Sequence, residues 1–250
     1  MFQPNALPVV PIALAFFAGG TVKGVIGIGL PLVVVPVIAT FSTPLHAIAL
    51  MLVPAVTSNV MQAGHAGFNR RAFARFWPAI AGIGAGAVLG STVLRGADPS
   101  TSGAVLGVVV VLFCASQLLT GLPPIGRRAE RWFTPLAGGA SGLAGGLTGF
   151  FGVALVPYLL ALRLEKEEFV ATIAMLYVFG VGALYGNLFL EGVFSWSLVA
   201  VSALVTIPTL AGVWMGSRLR RRVPEQVFRR ILVLVLFLIA LNLLRRSWWG

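Results

Sequence analysis

Residues 19–31 read GGTVKGVIGIGLP and residues 138–152 read GGASGLAGGLTGFFG, and each stretch sits in the middle of a long apolar run. The runs span 8–41 and 133–162. As continuous helices they would reach roughly 45–50 Å at 1.5 Å per residue, against a bilayer core of about 30 Å. Glycine at this density opposes an uninterrupted helix, by about 1 kcal/mol per residue relative to alanine. Both runs are therefore expected to break near their glycines and to continue as a second, shorter helix from about Gly29 and from about Gly149 to Gly152. Six further apolar stretches, 45–65, 73–94, 102–121, 168–190, 194–216 and 227–246, have the length of ordinary membrane spans.

Composition supports a bilayer environment. Of 250 residues, 58% are hydrophobic and 10% charged, with 30 Gly and 15 Pro, and the mean hydropathy is +0.96. A soluble domain carries about a quarter charged residues, so a water-soluble globule is excluded, and so is a disordered chain. The net charge of +11 does not indicate nucleic acid, because a nucleic-acid binder needs a polar surface for its basic groups. The expected class is an all-α polytopic membrane protein, residues 1–250 forming one membrane domain with the lipid bilayer as its partner. The opening MFQPNALPVVP has no basic n-region and reads as the start of the first membrane element.

The chain also repeats itself. Pro36 in LVVVPVIA matches Pro157 in VALVPYLL, 121 residues later. Gly86-x-x-x-Gly90-Ser91 matches Gly212-x-x-x-Gly216-Ser217, and Pro99 through Gln117-Leu118-Leu119 matches Pro224 through Asn242-Leu243-Leu244. Two halves follow, 8–121 and 133–246, joined by a linker at 122–132. Charge then selects the topology. If both long runs cross once, the two faces receive 8 and 9 Lys and Arg, with no bias. If each is a re-entrant hairpin, one face receives Arg70, Arg71, Arg75, Arg127, Arg128, Arg131, Arg163, Lys166, Arg218, Arg220, Arg221, Arg222, Arg229 and Arg230. The other then receives Arg95, Arg245 and Arg246. The positive-inside rule prefers the second path. The expected architecture is thus two inverted repeats, each a re-entrant or broken helical hairpin plus three transmembrane helices, with both termini external.

Lys23 is the one basic residue deep within an apolar element, and no acidic residue lies inside a span to pair with it. A buried cation marks a pathway or has a partner, so the expected partner is an anion. Helix N-termini at the two breaks add unpaired amides and positive dipole ends, which favour anions. The candidate substrate-binding residues are Lys23, Gly27, Gly29, Thr57, Ser58, Asn59, Gln62, Thr148 and Gly149; Gly24, Gly145 and Gly146 are expected at the same tips. Gly86/Gly90 and Gly212/Gly216 suit close helix packing. Tyr177 and Tyr185, eight residues apart, read as packing on one face of the sixth stretch. His46 and His65 have no ligand partners at metal spacing, and Cys114 stands alone. No metal, no cofactor and no enzymatic motif is expected.

Residues 19–59, GGTVKGVIGIGLPLVVVPVIATFSTPLHAIALMLVPAVTSN, and residues 142–180, GLAGGLTGFFGVALVPYLLALRLEKEEFVATIAMLYVFG, each resemble the repeat of TauE/SafE-type sulfite and organosulfonate exporters. The resemblance implies transport of a small sulfur-containing or carboxylate-like anion, often outward, across a bacterial-type inner membrane. The expected mechanism is alternating access, with the anion between the glycine-rich tips and no coupling ion specified. An anion-selective channel and a non-transport membrane scaffold are the alternatives, and homo-oligomerisation is left open.

Overall fold

The structure is a computed structural model that describes residues 9–66, 70–116, 123–219, 233, 234 and 236–245. Ten helices run in chain order: α1 Val9–Ile26, α2 Leu30–Ala39, α3 Pro44–Leu50, α4 Leu52–Ala66, α5 Arg70–Gly96, α6 Pro99–Ser116, α7 Arg127–Thr148, α8 Gly152–Ala161, α9 Lys166–Leu190 and α10 Trp196–Leu219. A further helix, α11, spans Leu236–Arg245. No strand occurs among the described residues. Among the described residues five helices are long and apolar enough to cross a membrane, and α3 with α4 makes a sixth if that bent pair is one span. The all-helical membrane class is as expected. Gln117, Pro224, Arg220, Arg221, Arg222, Arg229, Arg230, Arg246, the His65 side chain and residues 1–8 lie outside the described residues.

Both long runs break at glycine. Gly27 and Gly29 have φ of 89° and 109°, and Gly149 has φ of 75°, a left-handed region that side-chain-bearing residues rarely adopt. The amide of Gly27 donates to the Lys23 carbonyl, and the amide of Gly149 to that of Gly145, both at 2.7 Å. After each break the chain turns back. A methyl group on Gly19 would lie 3.0 Å from the Leu30 carbonyl oxygen and 2.8 Å from Val34 Cγ2, so α2 runs back along α1. In the second half the Thr134 and Tyr158 hydroxyls hydrogen-bond at 2.5 Å. The Ile125 amide there donates to the Ala161 carbonyl at 3.0 Å, so α8 ends beside the approach to α7.

The stretch 45–65 departs from expectation. It was expected to form one helix, and it bends by 53° between α3 and α4. Pro54 explains this. In an unbroken helix its ring would collide with the carbonyl four residues earlier, that of Leu50. The groups set free are taken up by a neighbour: Ser202 Oγ donates to the Leu50 carbonyl at 2.8 Å and accepts from the Val53 amide at 2.9 Å. Such side-chain rescue lets a broken helix survive away from water.

Two helix pairs pack backbone to backbone. Methyl groups on Gly212 and Gly216 of α10 would overlap the Phe17 and Thr21 carbonyl oxygens of α1, while those on Gly86 and Gly90 of α5 would lie 2.5 Å from the Gly139 and Leu143 carbonyl oxygens of α7. The reciprocal contacts repeat as well: Gly20 meets Thr209 and Gly24 meets Val213, as Gly142 meets Ile83 and Gly146 meets Ala87. Every one of these pairs maps onto its counterpart by adding 122 to the α1 residue and subtracting 126 from the α10 residue. Gly24 and Gly146 thus serve helix packing rather than the tips. Arg75 chelates Glu130 through Nε and Nη2, at 2.6 and 3.1 Å, and reaches Glu168 at 3.4 Å. These contacts gather the starts of α5, α7 and α9 at one end. Arg95 and Glu191, 3.0 Å apart, join the far ends of α5 and α9.

The glycine interfaces predict a contrast. Gly86→Ala and Gly212→Ala should each destabilise the purified protein, by about 1–3 kcal/mol as overpacking does, seen as a lowered thermal melting temperature in detergent. Gly84→Ala, with nothing within 4 Å of the added carbon, should leave it unchanged or raise it.

Candidate functional site

The two breaks bring four helix ends together. Gly149 would place a methyl group 3.5 Å from Pro31 Cβ and 3.1 Å from Met51 Cε, so the tips touch each other and the α3–α4 bend. Beside this junction lies a small cavity of about 10 Å³, lined by Lys23, Gly29, Leu30, Pro31, Ala55, Asn59, Gly149, Phe151, Tyr177, Val181, Leu184 and Tyr185. A volume of that size holds the centre of about one water molecule.

Lys23 comes from the last turn of α1, where the negative end of the helix dipole favours a cation. It is 6% exposed. Its Nζ donates to Asn59 Oδ1 at 2.6 Å, and Asn59 Nδ2 donates to the Ala55 carbonyl at 2.8 Å. An ammonium has three donors and no acceptor, so the amide must turn its oxygen toward Lys23, and the Ala55 carbonyl holds it that way. Among the described residues no carboxylate pairs with Lys23; the ion pairs there join Arg75 to Glu130 and Glu168, and Arg95 to Glu191. The site is therefore a desolvated lysine amine whose hydrogen-bond acceptor is the neutral Asn59 side chain.

Of the residues singled out from the sequence, Lys23, Gly29, Asn59 and Gly149 line the cavity. Gly27 lies at the first break, where a methyl group would come within 3.5 Å of Gln62 Nε2. Thr148 holds the second break closed: its Oγ1 donates to the Ala144 carbonyl at 2.7 Å and accepts from the Phe150 amide at 3.3 Å. Ser58 is buried with its hydroxyl directed at the Ala55 carbonyl. Thr57, Ser58, Gln62, Gly27 and Thr148 are not among the lining residues. Gly145 faces the Phe151 ring, which an added methyl group would overlap. Tyr177 and Tyr185, read from their spacing as packing or interfacial-belt residues, are packed in the core and also line the cavity. That spacing marked one shared face, but an apolar face carrying phenols reads the same whether it meets a core or a cavity.

The halves differ where it matters. At the 122-residue offset, Lys23 corresponds to Gly145 and Gly29 to Phe151. One tip thus carries the cation beside a bare glycine, and the other carries a bare glycine beside an aromatic ring.

Broken helices, apolar spans and a buried lysine beside two tips define a multi-pass helical membrane protein. The family model described as sulfite exporter TauE/SafE matches residues 12–243, nearly the whole chain, and the protein belongs to that family. No curated protein and no solved structure matches the chain.

The hydrogen-bond chain from Lys23 to Ala55 makes Asn59 the residue that tolerates change least on α4. Asn59→Leu should lower stability by about 1–3 kcal/mol, the cost of leaving a buried donor without its acceptor. Ser58→Ala should change it by less than about 0.5 kcal/mol. Thermal unfolding of the two purified variants separates the outcomes.

Proposed function

We propose that this protein carries a small oxyanion, sulfite or a sulfonate, out of the cell across a bacterial-type inner membrane by alternating access. The observation that carries the reading is Lys23: a buried ammonium at the junction of two broken helices, with no carboxylate among the described residues to neutralise it. The family supplies the substrate class. In this reading the anion sits against Lys23 and Asn59, with backbone at Gly29 and Gly149 approaching it closely. Gly27 and Thr148 shape the tips, and Thr57, Ser58 and Gln62 belong to the polar face of α4 that the anion passes. Export needs no coupling ion, since a negative interior of about 100 mV drives each unit negative charge outward by about 2.3 kcal/mol.

The topology in this reading is two inverted repeats, each with a re-entrant hairpin, the Arg-rich ends cytoplasmic and both termini external. The constant offsets of the two glycine interfaces support the repeats. The hydrogen bond from Ile125 to Ala161 and the meeting of Arg75, Glu130 and Glu168 support the hairpin, because a single crossing by 133–162 would send the starts of α7 and α9 to opposite faces. A carrier is favoured over a channel by the cavity, which at about 10 Å³ is too small for a tetra-atomic oxyanion. In this reading the tips part for loading.

In proteoliposomes the protein should give saturable sulfite flux, and Lys23→Ala should reduce it at least tenfold while the variant still folds. Wild-type flux from Lys23→Ala would remove the site from the mechanism, and currents far above carrier turnover would replace the carrier with a channel. Reporters fused at the C-terminus should read as external; a cytoplasmic signal would overturn the hairpin path.

A further inference from the structure

We propose that Tyr177 donates its phenolic hydrogen bond to the transported anion and, with the first amides of α8, forms the half of the binding site that faces Lys23. This rests on the reading of the cavity as the anion site. The chain has three tyrosines. The Tyr158 hydroxyl is paired with Thr134, and the Tyr185 hydroxyl donates to the Ile48 carbonyl at 3.1 Å. Tyr177, 6% exposed, has a buried hydroxyl with no hydrogen-bond partner among the described residues. Buried hydroxyls without partners are uncommon because desolvation is left uncompensated; Ser141 and Thr172 also have one among the described residues, but of the three only Tyr177 lines the cavity, and its case calls for an explanation there.

Its position supplies one. Tyr177 lines the same cavity as Lys23, and its Oη lies against the first residue of α8, 2.8 Å from where a methyl group on Gly152 would stand. The opening amides of a helix have no partner within it, and α8 has no side-chain cap. The corresponding opening of α2 is poorer in donors, because Pro31 stands in its first turn and has no N–H. The Phe151 ring, 5.9 Å from that of Tyr177 between centroids, holds the phenol in place before the anion arrives. Donors fixed in advance cost no reorganisation on binding.

The chemistry selects a ligand class. One ammonium offers a single positive charge, while a phenol and backbone amides add donors without adding charge. A monoanion bearing several oxygens, such as hydrogensulfite or an alkanesulfonate, can be charge-matched by Lys23 and have its remaining oxygens served by Tyr177 and α8.

The test is Tyr177→Phe in proteoliposomes, with sulfite and methanesulfonate as substrates and Tyr158→Phe, outside the cavity lining, alongside. Loss of one hydrogen bond to a charged ligand should raise KM for both anions about tenfold to a hundredfold, with Tyr158→Phe within twofold of wild type. Without anion, Tyr177→Phe should melt at or above the wild-type temperature, because it removes only an unpaired polar atom. An unchanged KM overturns the proposal. So does a raised KM accompanied by a lowered anion-free melting temperature, which would mark the hydroxyl as structural. If Tyr177→Phe keeps its KM while Lys23→Ala loses flux, the anion site stands and only this inference falls. If the wild-type protein moves neither anion, the reading of the cavity falls with it.

Discussion

A helix interrupted away from water must find partners for the amides and carbonyls it releases. This chain interrupts its helices in three places, at Gly27–Gly29, at Met51 and after Thr148, and places all three interruptions next to one another. The remaining structure serves that arrangement. Ser202 takes both groups freed at the α3–α4 bend, Tyr185 takes the Ile48 carbonyl, and Thr148 closes its own break. What these contacts leave is the pair of helix N-termini at Leu30 and Gly152, and the cavity is lined by Leu30 and by Phe151, the residue before Gly152.

The close approach of the long helices follows from the same need. In lipid, helices associate through packing rather than through hydrophobic gain, and contact between backbones requires residues without side chains on both sides. The glycines at 20, 24, 212 and 216, and at 82, 86, 90, 138, 142 and 146, supply that. Repetition of the two interfaces at fixed offsets gives both hairpins the same support. The two hairpins differ at their tips, where Lys23 and Gly29 in one half correspond to Gly145 and Phe151 in the other. In the proposed carrier, a cation in both tips would set two buried charges against one monoanion, whereas a single cation would leave an occupied site neutral.

Much of this was legible in the sequence because glycine acts locally. The breaks at Gly27–Gly29 and Gly149 follow from composition and run length alone, and Lys23 stands out because charge is so rare in these runs. The role of a glycine is harder to read, since a break and a close contact use the same residue. Gly24 and Gly146 differ from Gly27 and Gly149 only in backbone conformation. The bend at Met51 was hidden because hydrophobicity continues across it; only Pro54 signals it. Asn59 shares its helical face with Ser58 and Gln62, and what distinguishes it is reach, since of the three it is Asn59 that meets Lys23. Tyr177 needed the structure, because what sets it apart is a buried hydroxyl with no partner among the described residues.

The contacts also sort the helices into two groups that would move as units in the proposed carrier cycle. The α1–α10 interface, the bond from Lys23 to Asn59 and the Ser202 bridge tie α1, α2, α3, α4 and α10 together. The α5–α7 interface, the Arg75 cluster and the bonds of Asn187 and Glu191 to α5 tie α5, α7, α8 and α9 together. Between the groups, α4 packs along α9, Gly149 lies against Pro31 and Met51, and Tyr185 donates to the Ile48 carbonyl. The cavity sits on that boundary, with Lys23 on one side and Tyr177 on the other. Interfaces built on backbone contact resist sliding, because each carbonyl oxygen lies where a side chain cannot stand. In the proposed carrier cycle, separation along that boundary would open the site without breaking either hairpin. An anion bridging Lys23 and Tyr177 would join the two groups while bound, which gives a closed state a reason to form only when the site is filled.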